Sequence, residues 1–190
     1  MVKLGFIVEG DTEKIILESP SFKELLDSLK ISYVSDIINV EGCNNLLPYK
    51  IKENTEILHD KGATKIVILT DLDKEKCVTE TKARIKPLQN HICIVSKKEI
   101  EAWFLSDTVA LRNFIQHNID EYNNPEEIVD PFEEIRKAKI NKTGRGFTTK
   151  RKLAHSMIKS GFSIKRAAEH PHCTSAKYFI DKLKSLVGKN

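Results

Sequence analysis

Residues 4–13 read LGFIVEGDTE, and residues 65–73 read KIVILTDLD. In each stretch a short β-rich segment ends in acidic residues, at Glu9 in the first and at Asp71 and Asp73 in the second. Residues that predict a helix follow each stretch. This pattern indicates an open α/β sheet, in which ligands collect at the carboxyl ends of the strands. Three carboxylates at that edge repel one another, and a divalent cation is the usual way to neutralise them. The sequence therefore predicts a hard-metal site and, with it, phosphate chemistry.

Residues 1–122 alternate strand-like and helix-like segments, which predicts right-handed crossovers onto a mostly parallel sheet flanked by helices. The predicted strands are residues 4–8, 33–40, 65–70 and 91–96. The predicted helices are residues 12–29 with an interruption at Pro20, then 46–59, 78–88 and 100–114.

The character of the sequence changes after residue 122. Residues 123–190 predict three helices, at 132–139, 149–160 and 175–186, with a flexible basic loop at 141–147. We therefore predict an α/β core over residues 1–122 and a basic C-terminal helical extension over residues 123–190 that packs on it.

Composition limits the class of protein. A chain of 190 residues with 40% hydrophobic content can bury one sizeable core. It contains no apolar run near the ~20 residues that span a bilayer, and its first apolar run is too short for a signal peptide. The four cysteines form no CxxC pair. We therefore expect a cytoplasmic protein with free thiols and no membrane association, and neither a disulfide framework nor a structural zinc site.

Charge is distributed unevenly along the chain, although the net charge is only +4. Residues 131–190 carry 15 Lys and Arg against 4 Asp and Glu, and eleven bases without an acid lie between Glu134 and Glu169. Such asymmetry is typical of a surface that binds a polyanion, although a solvated helical surface is the alternative. The candidate contacts to a nucleic-acid backbone are Lys142, Arg145, Lys150, Arg151 and Lys152.

The acidic motifs carry a resemblance to a known family. VEGDTE at residues 8–13 and LTDLD at residues 69–73 resemble the two motifs of the TOPRIM domain, the metal-binding fold of topoisomerases, bacterial primases and OLD-family nucleases. The chain is similar above all to a group of small bacterial TOPRIM-like proteins. These share segments like KEIEAWFLSD at residues 98–107 and CTSAKYF at residues 173–179. The resemblance implies a TOPRIM, Rossmann-like fold and companionship with an ATPase in phage-defence loci.

The resemblance also implies roles for the acidic residues. Glu9 is the motif glutamate, a metal ligand or general base, and Asp71 and Asp73 are the aspartates that hold Mg²⁺ (or Mn²⁺). Glu13, one helical turn after Glu9, could support a second ion. The pair Glu99 and Glu101 could supply a further carboxylate.

The sequence leaves alternatives open for Glu101 and for the catalytic lysine. Glu101 precedes Trp103 in a segment that predicts a buried helix, so its carboxylate could simply lie near the positive end of that helix. The resemblance also implies a lysine that offsets negative charge on the pentavalent phosphorus. Lys150 is the candidate by its place in the related group, and Lys97 and Lys98 are candidates for the same role by their position.

The leading prediction is a metal-dependent nuclease that acts on DNA in preference to RNA and works with a partner ATPase. A non-catalytic TOPRIM-like subunit that binds nucleic acid or an ATPase is the alternative. A haloacid-dehalogenase-like phosphohydrolase, with Asp71 as nucleophile and Asp73 as general acid, ranks below both. This hypothesis gives Glu9 no role. In addition, Glu75 occupies the position two residues after Asp73, where those proteins usually have threonine or valine.

Overall fold

Four parallel strands form the centre of the protein. The computed structural model describes residues 2–73, 75 and 77–187. In that part of the chain the sheet has the order β2-β1-β3-β4, so β1 and β3 are the central strands. This confirms the predicted α/β class with a parallel sheet. The strands are β1 (Lys3–Val8), β2 (Ser32–Asn39), β3 (Lys65–Asp71) and β4 (His91–Ser96).

Helices follow the strands as the alternation predicts. Pro20 divides the first predicted helix in two, because proline begins a helix readily and Ser19 caps the second piece by accepting a hydrogen bond from Phe22 N at 3.3 Å. The helices up to residue 115 are α1 (Asp11–Leu17), α2 (Pro20–Ser28), α3 (Pro48–Asp60), α4 (Val78–Ile85), α5 (Glu101–Ser106) and α6 (Thr108–Ile115).

The predicted single helix at 100–114 is wrong in one respect, since it consists of α5 and α6 with a break at Asp107. This buried carboxylate caps α6 through Ala110 N and accepts both a bidentate pair from Arg166 at 2.8–2.9 Å and a bond from Ser163 N. A capping aspartate with a distant cationic partner stops one helix and starts the next.

In the described part of the C-terminal segment, four α-helices pack against the earlier part of the chain, chiefly on α1, α5, α6 and β4. Helix α7 continues through Thr143, so residues 141–143 of the predicted loop are helical. The sequence pattern missed the short helix α9. These helices are α7 (Pro131–Thr143), α8 (Lys150–Lys159), α9 (Ile164–Glu169) and α10 (Thr174–Ser185).

Side chains of the central strands alternate between two apolar clusters, one on each face of the sheet. Phe6 and Val8 of β1 pack with α1, α2 and the C-terminal helices, whereas Ile7 packs with α3 and α4. Gly5 lets α3 approach β1 closely, since a Cβ there would lie 3.0 Å from the Cβ of Leu58. Both faces of the sheet are therefore covered, and its strand ends are left for polar residues.

The two late sequence segments meet in the core. Trp103 of α5 is fully buried, stacks on Phe179 of α10 at a centroid distance of 6.0 Å, and donates its indole N–H to Ser175 Oγ at 2.8 Å. The buried carboxylate of Glu126 accepts hydrogen bonds from Thr174 N and Ser175 N, at 3.0 and 2.7 Å, at the start of α10. The segments at 98–107 and 173–179 are therefore bound to each other. Among the described residues, no helix is long and apolar enough to cross a bilayer.

Candidate metal centre

Glu9 and Asp71 lie side by side because they end neighbouring parallel strands. Val8 pairs with Leu69 in the sheet, and Glu9 N donates to Leu69 O at 3.1 Å. The Glu9 carboxylate is held by β3: its Oε2 accepts the hydroxyl hydrogen bond of Thr70 and that of Asp71 N, the latter at 3.3 Å. The two acids therefore end adjacent parallel strands at one edge of the sheet.

Asp71 is a buried carboxylate with a defined orientation. Its Oδ1 accepts hydrogen bonds from the Ser96 hydroxyl at the end of β4 and from Ile100 N, at 2.8 Å, at the start of α5. Burial raises the pKa of Asp71 well above its ordinary value, and the charges of Glu13 and Glu101 raise it further.

Asp73 reaches the same region because the chain turns directly after β3. Leu72 N donates to Ser96 O at 2.9 Å, Asp73 N donates to Lys98 O at 2.8 Å, and Asp73 itself has a φ of +49°. Its side chain is exposed. The left-handed turn removes the strand alternation that would direct Asp71 and Asp73 to opposite sides. Asp73 does not cap α4, whose N-cap residue is Cys77.

Two further carboxylates come from helices and are almost completely buried. Glu13 of α1 is 3% exposed and Glu101 of α5 is 0% exposed. Burial, with the charges of Glu101 and Glu9 in addition, raises the pKa of Glu13 to about 8. Burial also raises the pKa of Glu101, against the opposing effect of Lys150. Glu101 Oε1 accepts a bond from Thr12 Oγ1 at 3.2 Å, but Oε2 has no hydrogen-bond partner among the described residues.

Lys150 and Arg151 bring positive charge to this acidic cluster from the first turn of α8. Lys150 Nζ lies 3.0 Å from Glu99 Oε1 and 3.5 Å from Glu101 Oε2, and Arg151 lies 3.8 Å from the carboxylate of Asp11. Burial alone would lower the pKa of Lys150, but the adjacent Glu101 and Glu99 outweigh it and the pKa is raised. Lys150 is therefore a permanent cation and not a base near neutral pH.

With the exception of Glu99, these charged residues line one cleft of about 520 Å³ at the carboxyl end of the sheet. Carboxylate oxygen atoms of Glu9 and Asp73 and the Sγ of Cys43 all lie within 4.8 Å of one another. Oxygen-rich clusters with buried, mutually repelling carboxylates are suited to a divalent cation. The wall of the cleft includes Glu9, Asp11, Glu13, Asn39, Asp71, Asp73, Glu101, Thr149, Lys150 and Arg151.

Comparison with known proteins identifies the family. The sequence matches, over residues 8–184, the model of a family described as a domain of unknown function, DUF4276. The chain belongs to this family. No curated protein matches it significantly. Among solved structures, this DUF4276 chain is similar to the C-terminal region of the Burkholderia pseudomallei OLD protein. The sequence identity is 19% and the TM-score 0.48, over 96% of this chain and 99% of that chain. The family match includes every acidic residue of the cleft and Lys150.

Some of the predicted site residues in this DUF4276 chain lie outside the cleft. Lys142 lies in the last turn of α7, Arg145 follows that helix, and Lys152 Nζ contacts Thr148 Oγ1 at 3.4 Å; all three are exposed. None of the three belongs to the cleft wall. Lys97 lies 3.4 Å from the buried carboxylate of Glu126, so it neutralises a helix cap.

Cys43 is the residue of the cluster that the sequence pattern missed. It follows β2, the strand on the other side of β1, so its thiol lies at the same sheet edge as Glu9. The signal that could have found it is Gly42-Cys43 at a strand end, at the same edge as the acidic residues after β1 and β3.

Proposed function

We propose that this protein is a divalent-metal-dependent nuclease of TOPRIM type. The observation that carries the proposal is the meeting of Glu9 and Asp71 at the carboxyl ends of adjacent parallel strands. Asp73, Glu13 and Glu101 line the same cleft. In metal-dependent phosphodiester hydrolysis, carboxylates arranged in this way hold the cations against the charge of the substrate.

The residues present fit Mg²⁺ or Mn²⁺. The donors are carboxylate oxygen atoms, which these ions prefer, and the fully buried Oε2 of Glu101 lacks a hydrogen-bond donor in the described part of the chain. Burial and like charge raise the pKa values of Asp71, Glu13 and Glu101, and a bound cation would relieve that repulsion. When bound, Mg²⁺ would polarise the phosphate and lower the pKa of a coordinated water. The proposed ligands are Glu9, Glu13, Asp71, Asp73 and Glu101.

Lys150 has a separate role in this proposal. Its ammonium group is fixed 3.0 Å from Glu99 and borders the cleft, where it offsets negative charge that develops on the phosphate. Because carboxylates raise its pKa, it supplies charge and does not accept the proton of the attacking water. Glu9 is held by Thr70 and Asp71 N, so its carboxylate has a fixed orientation for ligation or proton acceptance.

The basic residues beside the cleft support nucleic acid as the substrate. Arg151 borders the cleft, and three further exposed bases lie near it in sequence: Lys142 at the end of α7, Arg145 between α7 and α8, and Lys152 in the first turn of α8. Backbone phosphates bind such a surface without sequence specificity. Following the TOPRIM resemblance, we propose DNA in preference to RNA, and an ATPase partner in phage defence. The proposed phosphate contacts are Lys142, Arg145, Lys150, Arg151 and Lys152.

The test is cleavage of plasmid, single-stranded DNA and RNA with Mg²⁺, Mn²⁺ or chelator, with and without an ATPase encoded beside the gene. Glu9→Gln and Asp71→Asn keep the side-chain shape and remove charge, so we expect each to abolish cleavage. Glu24→Gln, on the exposed face of α2, is the matched control and should remain active. Cleavage that survives both site substitutions would contradict the proposal. Complete inactivity of the wild type in every condition would favour the non-catalytic binding subunit.

A further inference from the structure

Hydrogen bonds to the main chain hold Cys43 and the residue before it next to Glu9. Gly42, with a φ of +118°, donates its N–H to Glu9 O at 2.8 Å, and Cys43 then begins a 3₁₀ turn that ends at Asn45. Arg84 Nη1 donates to Cys43 O at 3.1 Å. These contacts therefore fix the backbone of Cys43 beside Glu9.

The geometry of the three side chains suits a shared ion. The Sγ of Cys43 and one carboxylate oxygen each of Glu9 and Asp73 lie within 4.8 Å of one another. Ligands of one tetrahedral Zn²⁺ ion lie at about 2.3 Å (sulfur) or about 2.0–2.2 Å (oxygen) from the metal, which places two of them roughly 3.5 Å apart. Binding would draw the three side chains together by roughly 1 Å, and Asp73, which is exposed on its turn, has room to move.

The carboxylate of Glu101, in the wall of the same cleft, is only partly satisfied by the chain. Glu101 lines the same wall as Glu9 and Asp73, is 0% exposed, and has an Oε2 without a hydrogen-bond partner among the described residues. The ammonium group of Lys150 lies 3.5 Å from this oxygen. This lysine supplies positive charge but no hydrogen bond to Oε2, so a cation bound in the cleft would stabilise the buried carboxylate further.

The donor set differs from one made of oxygen alone. Thiolate is a soft ligand that selects Zn²⁺ and similar ions, whereas carboxylates alone suit Mg²⁺ and Mn²⁺. We propose that Cys43, Glu9 and Asp73 bind a thiophilic divalent cation of the Zn²⁺ class, and that this ion regulates the centre by competing with Mg²⁺ for Glu9 and Asp73. The regulatory part rests on the proposed nuclease function. On binding, the Cys43 thiol loses its proton to solvent and the sulfur forms the bond to the metal.

The ion site is tested by spectroscopy, without nucleic acid. Co²⁺ or Cd²⁺ is titrated into the full chain in a thiol-free reductant, and the sulfur-to-metal charge-transfer absorption is recorded. We expect one equivalent of this absorption in the wild type and none in Cys43→Ser. Cys77→Ser, which removes the exposed thiol of the α4 N-cap, is the matched control and should keep the absorption.

Affinity for Zn²⁺ provides the second measurement. Removing a residue that only supports a metal ligand typically weakens binding roughly 10- to 100-fold. Because Cys43 is itself a proposed ligand, its loss should weaken Zn²⁺ binding by at least this factor. Asp73→Asn, at an exposed position that leaves the core intact, should weaken it as well while the charge-transfer absorption persists at saturation. Thermal unfolding of each variant establishes that it is folded.

The outcomes separate this proposal from the nuclease proposal. If the wild type shows no charge-transfer absorption, or if Cys43→Ser retains it, the sulfur ligand is refuted even where Mg²⁺-dependent cleavage is intact. If the absorption depends on Cys43 but cleavage is absent, the ion site stands and the nuclease function fails. If Zn²⁺ does not inhibit Mg²⁺-dependent cleavage by the wild type, the competition is refuted.

Discussion

Glu13→Gln should stabilise the metal-free protein near neutral pH. The Glu13 carboxyl is 3% exposed, and its pKa is raised from 4.5 to about 8, chiefly by burial. An acid whose pKa is raised on folding contributes stability below its unfolded pKa and loses it as the pH rises through the folded pKa. For Glu13 this window extends from about pH 4.5 to about pH 8. Glutamine has the same shape and never ionises, so it avoids the loss.

The magnitude follows from the size of the shift. At pH 7 the folded protein must keep a proton that the unfolded chain releases, which corresponds to about 3 kcal/mol at ~1.4 kcal/mol per pH unit. For a chain of this length that is a rise in Tm of roughly 6–12 °C. Part of the pH dependence will remain in the variant, because the pKa values of Asp71 and Glu101 are raised too.

The assay is thermal unfolding from pH 4 to pH 8 in chelator, for the wild type, Glu13→Gln and the control Glu24→Gln. The Tm difference between the wild type and Glu13→Gln should be near zero at pH 4 and grow with pH, while Glu24→Gln should follow the wild type. Saturating Mg²⁺ should stabilise the wild type more than Glu13→Gln at pH 7. A Tm difference that does not change with pH, or a destabilised variant at pH 8, would refute the assignment of Glu13 as a carboxyl kept neutral by burial.

Two further predictions concern substrate binding and the individual aspartates. Replacing Arg145, Arg151 and Lys152 with alanine should flatten the dependence of DNA affinity on salt concentration. The log–log slope should change by about 0.9 for each phosphate that the protein no longer neutralises. An unchanged slope in a fluorescence-anisotropy titration would mean that these side chains are only solvated surface. Asp73→Asn should reduce Mg²⁺-dependent cleavage less than Asp71→Asn, because Asp73 is exposed on a turn whereas Asp71 is buried and fixed by two hydrogen-bond donors. Equal losses in kcat for the two variants would contradict this ranking.

Most of the fold was predictable because local sequence patterns indicate its strands and helices. β1 and β3 are short apolar runs buried on both faces, and Pro20 with its preceding serine marks a helix boundary that sequence alone can place. The adjacency of Glu9 and Asp71 followed from the rule that ligand-bearing strand ends meet at one sheet edge. The parallel sheet, the helix order and the position of the acidic edge were accessible in this way.

The remaining features depend on contacts between residues far apart in sequence. Asp107 divides α5 from α6 because Arg166 pairs with it, and no local pattern reports a partner 59 residues away. Glu126 caps α10 from 48 residues upstream. Cys43 joins the acidic cluster only because β2 lies beside β1, a strand order that alternation alone does not determine. These contacts are tertiary, and periodicity describes only secondary structure.

We propose above all that the carboxylates at the ends of β1 and β3 hold a divalent ion. The most direct measurement is an anomalous difference map from crystals of the protein soaked in Mn²⁺. We expect an ordered Mn²⁺ peak within coordination distance of both Glu9 and the Asp71–Asp73 turn, and its loss in crystals of Asp71→Asn. Saturating Mn²⁺ that binds elsewhere, or that leaves this cleft without a peak, would contradict the account.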